Sequence, residues 1–217
     1  LGQSGEADER VTDEEVKTLI AEAEHAGVLE TEERHMISGV MRLADRSARG
    51  LMTPRLDVEL LDLSETHEEM IEKLRATRHS VLPVQDGAVD SIVGVIVRKD
   101  LVENVLSATP LDMRTLVKQA PVVMDRSSAL DVLKAIRGSL VHMALVFDEY
   151  GHFEGIVTPA DVLEAITGAF QEEEESEPAV VARPDGSYLV AGWMQADEVS
   201  SEFGIPMPRD ADFQTVA

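Results

Sequence analysis

The chain has 217 residues and a formal net charge of −23, from 42 Asp and Glu against 19 Lys and Arg, with 44% apolar residues and no cysteine. That charge argues against nonspecific binding to nucleic acid or to an anionic bilayer, both of which need a basic face, while the apolar fraction argues against a disordered acidic tail. The lack of cysteine excludes disulfides, thiolate zinc sites, iron–sulfur clusters and thiol catalysis, and no apolar run approaches the roughly 20 residues of a membrane helix.

Residues 1–49 read as a helical linker segment. Thr12 and Glu15 have capping-box spacing, and Val16, Leu19, Ile20 and Ala23 follow at helical period. Gly27 is a stop signal, and Thr31 opens a second helix whose Met36, Ile37, Val40, Met41 and Ala44 form one apolar stripe. Each stripe must bury against the rest of the chain or against a part of the protein outside this sequence.

The next 120 or so residues repeat themselves, which is the most informative feature of the sequence. Thr66–Val84 aligns with Ser128–Val146 at an offset of 62, and Ile92–Leu106 aligns with Phe153–Thr167 at an offset of 61. The alignment matches Gly94 with Gly155, Asp100 with Asp161 and Glu103 with Glu164. Each copy reads as capped helix, short strand, turn, second strand and helix, with the turns at Asp86-Gly87 and Asp148-Glu149-Tyr150-Gly151. A unit of about 60 residues buries little core alone, so the copies are expected to pair across a pseudo-two-fold axis that creates two related clefts. Beyond them, 171–217 holds eleven acidic and two basic residues, and its run Glu172-Glu173-Glu174-Glu175-Ser176-Glu177 reads as a solvated linker over 171–177.

In the second copy Thr158, Pro159 and Asp161 take the N-cap, N1 and N3 positions of a helix. This places a hydroxyl, a carboxylate and unpaired N–H groups at one helix mouth, where a ribose diol could donate to Asp161 and an anion could meet the N–H donors. The same residues also suit an ordinary capping box that needs no ligand. In the first copy Val97 replaces Thr158 while Asp100 keeps the carboxylate, so that cleft should bind weakly or not at all. The six histidines show no i,i+4 pairing with one another, so no histidine metal site is visible. No nucleophile elbow or Walker loop occurs either, and no catalytic residue is assigned. His142, inside an apolar run, reads as a core or cleft histidine.

Two units that each end in Gly-apolar-x-x-x-x-Asp before a helix resemble a pair of cystathionine-β-synthase (CBS) domains, a Bateman module. More narrowly, Leu51-Met52-Thr53-Pro54-Arg55-Leu56-Asp57-Val58, Leu140–Val146 with Asp148-Glu149-Tyr150-Gly151, and Gly155–Glu164 resemble the CorC/HlyC magnesium and cobalt exporters, related to the animal cyclin-M transporters. Gly186–Trp193 resembles the start of that group's transporter-associated C-terminal domain. The resemblance implies an α+β fold of tandem CBS domains, with the first over 50–110, the second over 111–170 and the truncated start of the C-terminal domain over 178–217. It implies a regulatory module, not an enzyme, that binds an adenosine nucleotide (AMP, ADP or ATP, with or without Mg²⁺) and controls a Mg²⁺ or Co²⁺ efflux domain of the same protein.

By the same resemblance the nucleotide site comprises Thr158, Asp161, Thr53, Ile156, Pro159, His79, Ser80, Val81, His142 and Met143, with a weaker second cleft around Asp100. Relatives often carry arginine where Val81 stands, which leaves Arg55 and Arg126 as candidate phosphate partners. The implied partners are a second copy, through the CBS pairs, and the membrane domain, with no nucleic acid; the implied location is the cytoplasmic side of the cell membrane. Alternative roles for this fold are a soluble cytosolic factor in ribosome or RNA metabolism and the regulatory module of an enzyme whose catalytic domain lies elsewhere.

Overall fold

In the computed structural model the described residues are 11–88, 90–106, 112–168, 180–183, 185–192, 194–206 and 215–216. The acidic run 171–177 lies outside them, as does Trp193.

The capping signals become hydrogen bonds. Helix α1 (Asp13–His25) opens with the Thr12 hydroxyl accepting from the Glu15 N–H while the Glu15 carboxylate accepts the Thr12 N–H. Helix α2 (Thr31–Asp45) starts where expected but buries a different face. Met36, Val40 and Ala44 of the expected stripe are exposed, and Gly39 and Leu43 are the buried positions. Backbone proximity explains the difference: a Cβ on Gly39 would stand 2.1 Å from the Ile166 carbonyl oxygen, so the absence of a side chain brings this face against a later helix. Helix α1 buries no residue, and its Leu19 is exposed.

The chain then runs through β1 (Thr53–Pro54), β2 (Leu61–Asp62), α3 (His67–Ala76), β3 (Val81–Gln85), β4 (Ile92–Val97) and α4 (Arg98–Leu106). It continues with α5 (Met113–Leu116), β5 (Val122–Met124), α6 (Ala129–Arg137), β6 (Ala144–Phe147), β7 (Phe153–Val157) and α7 (Pro159–Thr167). The last elements are β8 (Val180–Ala182), β9 (Tyr188–Val190) and α8 (Ala196–Phe203). The repeat is visible down to its irregularities, since the register slips at Val84/Gln85 in one copy and at the aligned Val146/Phe147 in the other. Thr66 and Ser128 cap α3 and α6 through the N–H groups of Glu69 and Asp131.

This is a tandem CBS fold of the α+β class. One sheet has the order β2-β3-β4 and the other β1-β7-β6-β5. The boundary drawn at residue 50 divides the sequence but not the packing, because β1 belongs to the second copy's sheet, with Thr53 opposite Ile156. Leu43, Ala48 and Leu51 accordingly enter the core of α6, α7 and β6. The exchange is reciprocal: Met113, Leu116 and Val117, which open the range assigned to the second copy, pack in the core of the first, and Lys118 bridges Val95 of β4. A third apolar cluster, with Val81, Val95, Met143, Leu145, Phe153 and Ile156, lies between the copies. Each copy therefore completes its core with the segment that leads into the other.

Candidate functional site

The two crossovers bring the functional residues together. In the second copy Asp161 sits at N3 of α7, and its Oδ2 accepts the Thr158 N–H and the Thr158 hydroxyl, both at 2.6 Å. Its Oδ1 accepts the Thr53 hydroxyl at 3.0 Å. Thr53 can reach it because β1 lies directly against Ile156 and Gly155. Gly155 is what permits the approach, since a Cβ there would lie 2.2 Å from the Thr53 carbonyl oxygen. The glycine and aspartate of the repeated motif thus have one joint purpose: the first admits the crossover strand and the second ties it down.

The structure gathers Thr53, Ile156, Thr158, Pro159 and Asp161 at the mouth of α7. Val81 and Met143 join Ile156 in the apolar cluster between the copies, with Met143 fully buried. His79, Ser80 and His142 are exposed and, among the described residues, make no hydrogen bond to the Thr158–Asp161 turn. His142 does not sit in the core as its apolar neighbours suggest. Its backbone is left-handed, with φ of 53°, and this turns the side chain out of the run that buries Val141 and Met143. Arg55 and Arg126 face carboxylates, Asp90 at 3.6 Å and Glu149 at 3.1 Å.

A carboxylate offers about four acceptor positions, and three at Asp161 are filled by protein donors. One position on Oδ1 is open to a ribose hydroxyl. A bidentate grip on the diol requires the Thr53 hydroxyl to move aside.

Beside this mouth a cleft of about 450 Å³ runs along α7 from Asp161 to Glu164 and Ala165, walled by Arg49, Met52, Thr53 and Asp57 and reaching Gln195 and Thr215. Arg46 at its edge is buried and gives a two-point hydrogen bond to Asp197 of α8, at 2.9 and 2.8 Å. The first copy differs. There Lys118 takes the place of Thr53, its ammonium 2.8 Å from Asp100 Oδ2, and Val97 caps nothing. Lys118 is not legible as a site residue from the sequence, because the repeat alignment does not extend to the crossover segments.

Comparison with known proteins supplies the family. Residues 113–168 match the CBS domain. The chain is 32% identical to the UPF0053 protein in the cps region of Klebsiella pneumoniae, over 99% of its own length and 68% of that protein's. A structure of the CBS domain of a bacterial CNNM/CorC family Mg²⁺ transporter is 33% identical, with a TM-score of 0.66 over 75% of this chain and all of that one. The chain belongs to the CorC/HlyC (UPF0053) family. Another structure of such a bacterial transporter's CBS domain is a complex with ATP; it is 33% identical and covers 64% of this chain and 99% of that one, with a TM-score of 0.58. A further family member, the inner membrane protein YoaE of Escherichia coli (strain K12), is 36% identical over 88% of this chain, which spans 37% of it. Against several curated relatives the chain spans between 34% and 44% of the whole length. No helix among its described residues is long and apolar enough to cross a membrane.

Proposed function

We propose that this chain is the nucleotide-sensing module of a CorC-type exporter. It binds an adenosine nucleotide (AMP, ADP or ATP, with or without Mg²⁺) in the second cleft and controls a membrane domain that exports Mg²⁺ or Co²⁺, from the cytoplasmic side of the membrane. The observation that carries this reading is the convergence of Thr53, Thr158 and Asp161 at the N-terminus of α7, where a carboxylate acceptor lies beside the Ala160 N–H, the donor of the first turn that the capping box does not use. The ATP complex of the related bacterial domain and the inner membrane relative support it. Asp161 takes a ribose hydroxyl, Thr158 and the Ala160 N–H face the phosphates, and Ile156, Val81 and Met143 form the apolar floor. Pro159 sets the helix start, and His79, Ser80 and His142 line the rim.

Because the cleft is built from both copies and from the segment leading out of α2, ligand binding favours one relative placement of these parts. A regulatory signal is then a population shift passed through α2. The module pairs with a second copy. Val102 on α4 and Leu163 on α7 occupy aligned positions and are both exposed apolar residues, which supplies a repeated contact face.

Isothermal titration calorimetry with AMP, ADP and ATP, each with and without Mg²⁺, on wild type and Asp161→Ala tests the reading. Binding of at least one nucleotide that weakens tenfold or more in the variant is expected. Absence of binding by all of them at millimolar concentration rejects the sensor role.

A further inference from the structure

The two clefts share a backbone plan and differ in one contact. Thr53 lies opposite Ile156, and Lys118 bridges Val95, the residue that the repeat aligns with Ile156. A Cβ on Gly155 would meet the Thr53 carbonyl oxygen at 2.2 Å, and a Cβ on Gly94 would meet the Lys118 carbonyl oxygen at 2.4 Å. Lys118 and Thr53 are therefore equivalent by geometry although no sequence alignment pairs them. From that shared position Thr53 reaches Asp161 with a neutral hydroxyl, and Lys118 reaches the aligned Asp100 with an ammonium at 2.8 Å.

We propose that Lys118 fills the first cleft as an internal cation and, together with Val97, limits the module to one nucleotide per chain. The inference rests on the nucleotide reading of the second cleft. The chemistry is an exchange of partners. A carboxylate recognises a ribose hydroxyl through an acceptor position that is still open and a charge that no neighbouring cation compensates. A hydroxyl donor leaves Asp161 anionic, whereas an ammonium in contact with Asp100 neutralises it and covers the oxygen that a sugar would need. The Asp100 side chain is 22% exposed and that of Lys118 49%, so the carboxylate lies largely out of water while its half-solvated partner moderates the strength of the pair. Val97 removes the remaining attraction, because it has no hydroxyl to offer where Thr158 has one.

Calorimetric stoichiometry with ATP and Mg²⁺, and separately with AMP, on the 217-residue chain tests this. The proteins are wild type, Lys118→Gln and Val97→Thr/Lys118→Thr, each checked for a cooperative thermal transition. One nucleotide per wild-type chain and two per doubly substituted chain are expected, and adding Asp161→Ala to the double variant should return the count to one. Lys118→Gln, which keeps most of the stem and loses the charge, serves where the double variant fails to fold and should show weak second-site binding. Unchanged stoichiometry of one in a folded variant overturns the inference and leaves the second-cleft reading intact. Two nucleotides on wild type, or weaker binding after loss of the lysine, also overturns it. No binding to wild type with one nucleotide on the double variant supports the lysine's role and rejects the second-cleft reading. No binding to any of the proteins rejects both.

Discussion

Thr53 and Asp161 stand 108 residues apart in sequence, yet a hydroxyl and a carboxylate oxygen join them across 3.0 Å. The bond ties the two-residue strand β1 to α7. So short a strand has little ladder to hold it, and the link to a charged acceptor is what registers the crossover. A hydrogen bond to an ionised group contributes about 1.5–3 kcal/mol, reduced here by partial exposure of both groups. Thr53→Val keeps the β-branched shape and removes the donor, so urea unfolding should show a loss of about 1 kcal/mol, with Thr53→Ser close to wild type. Equal midpoints for wild type and Thr53→Val would reject the tie.

Gly155 makes a sharper prediction because its neighbour is backbone and cannot step aside. With the Thr53 carbonyl oxygen 2.2 Å from a would-be Cβ, Gly155→Ala should force β1 off β7 and cost about 1–3 kcal/mol, the range for overpacking a filled site. Gly94→Ala should do the same at Lys118 in the first copy. Gly138 is the control. A Cβ there meets nothing closer than 3.5 Å and the backbone is right-handed, so Gly138→Ala should be neutral or slightly stabilising. Chemical denaturation of the three variants side by side reads the contrast.

These glycines also mark the limit of what the sequence reveals. The capping residues Thr12, Thr66, Ser128 and Thr158 were legible because a cap is a local event within one turn, and the repeat was legible because both copies preserve their apolar spacing. The reason for the Gly-to-Asp spacing was not, since it depends on a strand contributed from the far end of the pair. For the same reason Lys118 carried no signal. On α2 the apolar stripe misled because Gly39, not a large side chain, sets the packed face. Of the two places its apolar run allowed, core or cleft, His142 is kept out of the core by one left-handed residue, a backbone feature that the run does not announce.

Asp62, at the end of β2, predicts a pH dependence. Its carboxylate accepts the Ser64 hydroxyl first, then the Ser64 N–H, the Gln85 side-chain amide and the Gly87 N–H, and these hold its pKa far below the ordinary carboxylate range. A depressed folded pKa contributes stability above the unfolded value of about 3.9, and that contribution shrinks as pH falls below it towards the folded value. The stability gap between wild type and Asp62→Asn should therefore be full at pH 7 and narrow steadily from about pH 4 downward. Urea midpoints of both proteins across this range check it, and a gap independent of pH would contradict the assignment.

Pairing of the module through aligned helix positions is tested by Val102→Glu/Leu163→Glu. Both residues are exposed, at 57% and 48%, so substitution should leave the fold intact, with thermal midpoints within a few degrees. Sedimentation equilibrium should find a dimer for wild type and a monomer for the variant, because two buried like charges facing each other are strongly unfavourable. A dimer that survives both substitutions moves the contact face elsewhere.

Arg46 and Asp197 supply the last prediction, on how the segment after the CBS pair is held. The guanidinium side chain is only 8% exposed and gives its Nε–H and an Nη–H to the two oxygens of Asp197 on α8, while the Arg46 carbonyl accepts the Ala129 N–H at the start of α6. One residue thus ties α8 to the second copy. Removing only the carboxylate takes two charge-assisted hydrogen bonds from a largely buried guanidinium while its desolvation remains, so the loss exceeds the net contribution of the pair. Asp197→Ala should lower stability by about 1.5–3 kcal/mol, the range for a lost charged hydrogen bond, and should speed hydrogen exchange in α8. Arg46→Met/Asp197→Leu, which removes both charges and keeps apolar volume, should recover most of the loss. If Asp197→Ala exchanges like wild type in α8, other contacts hold that helix and the arginine is paired without anchoring it.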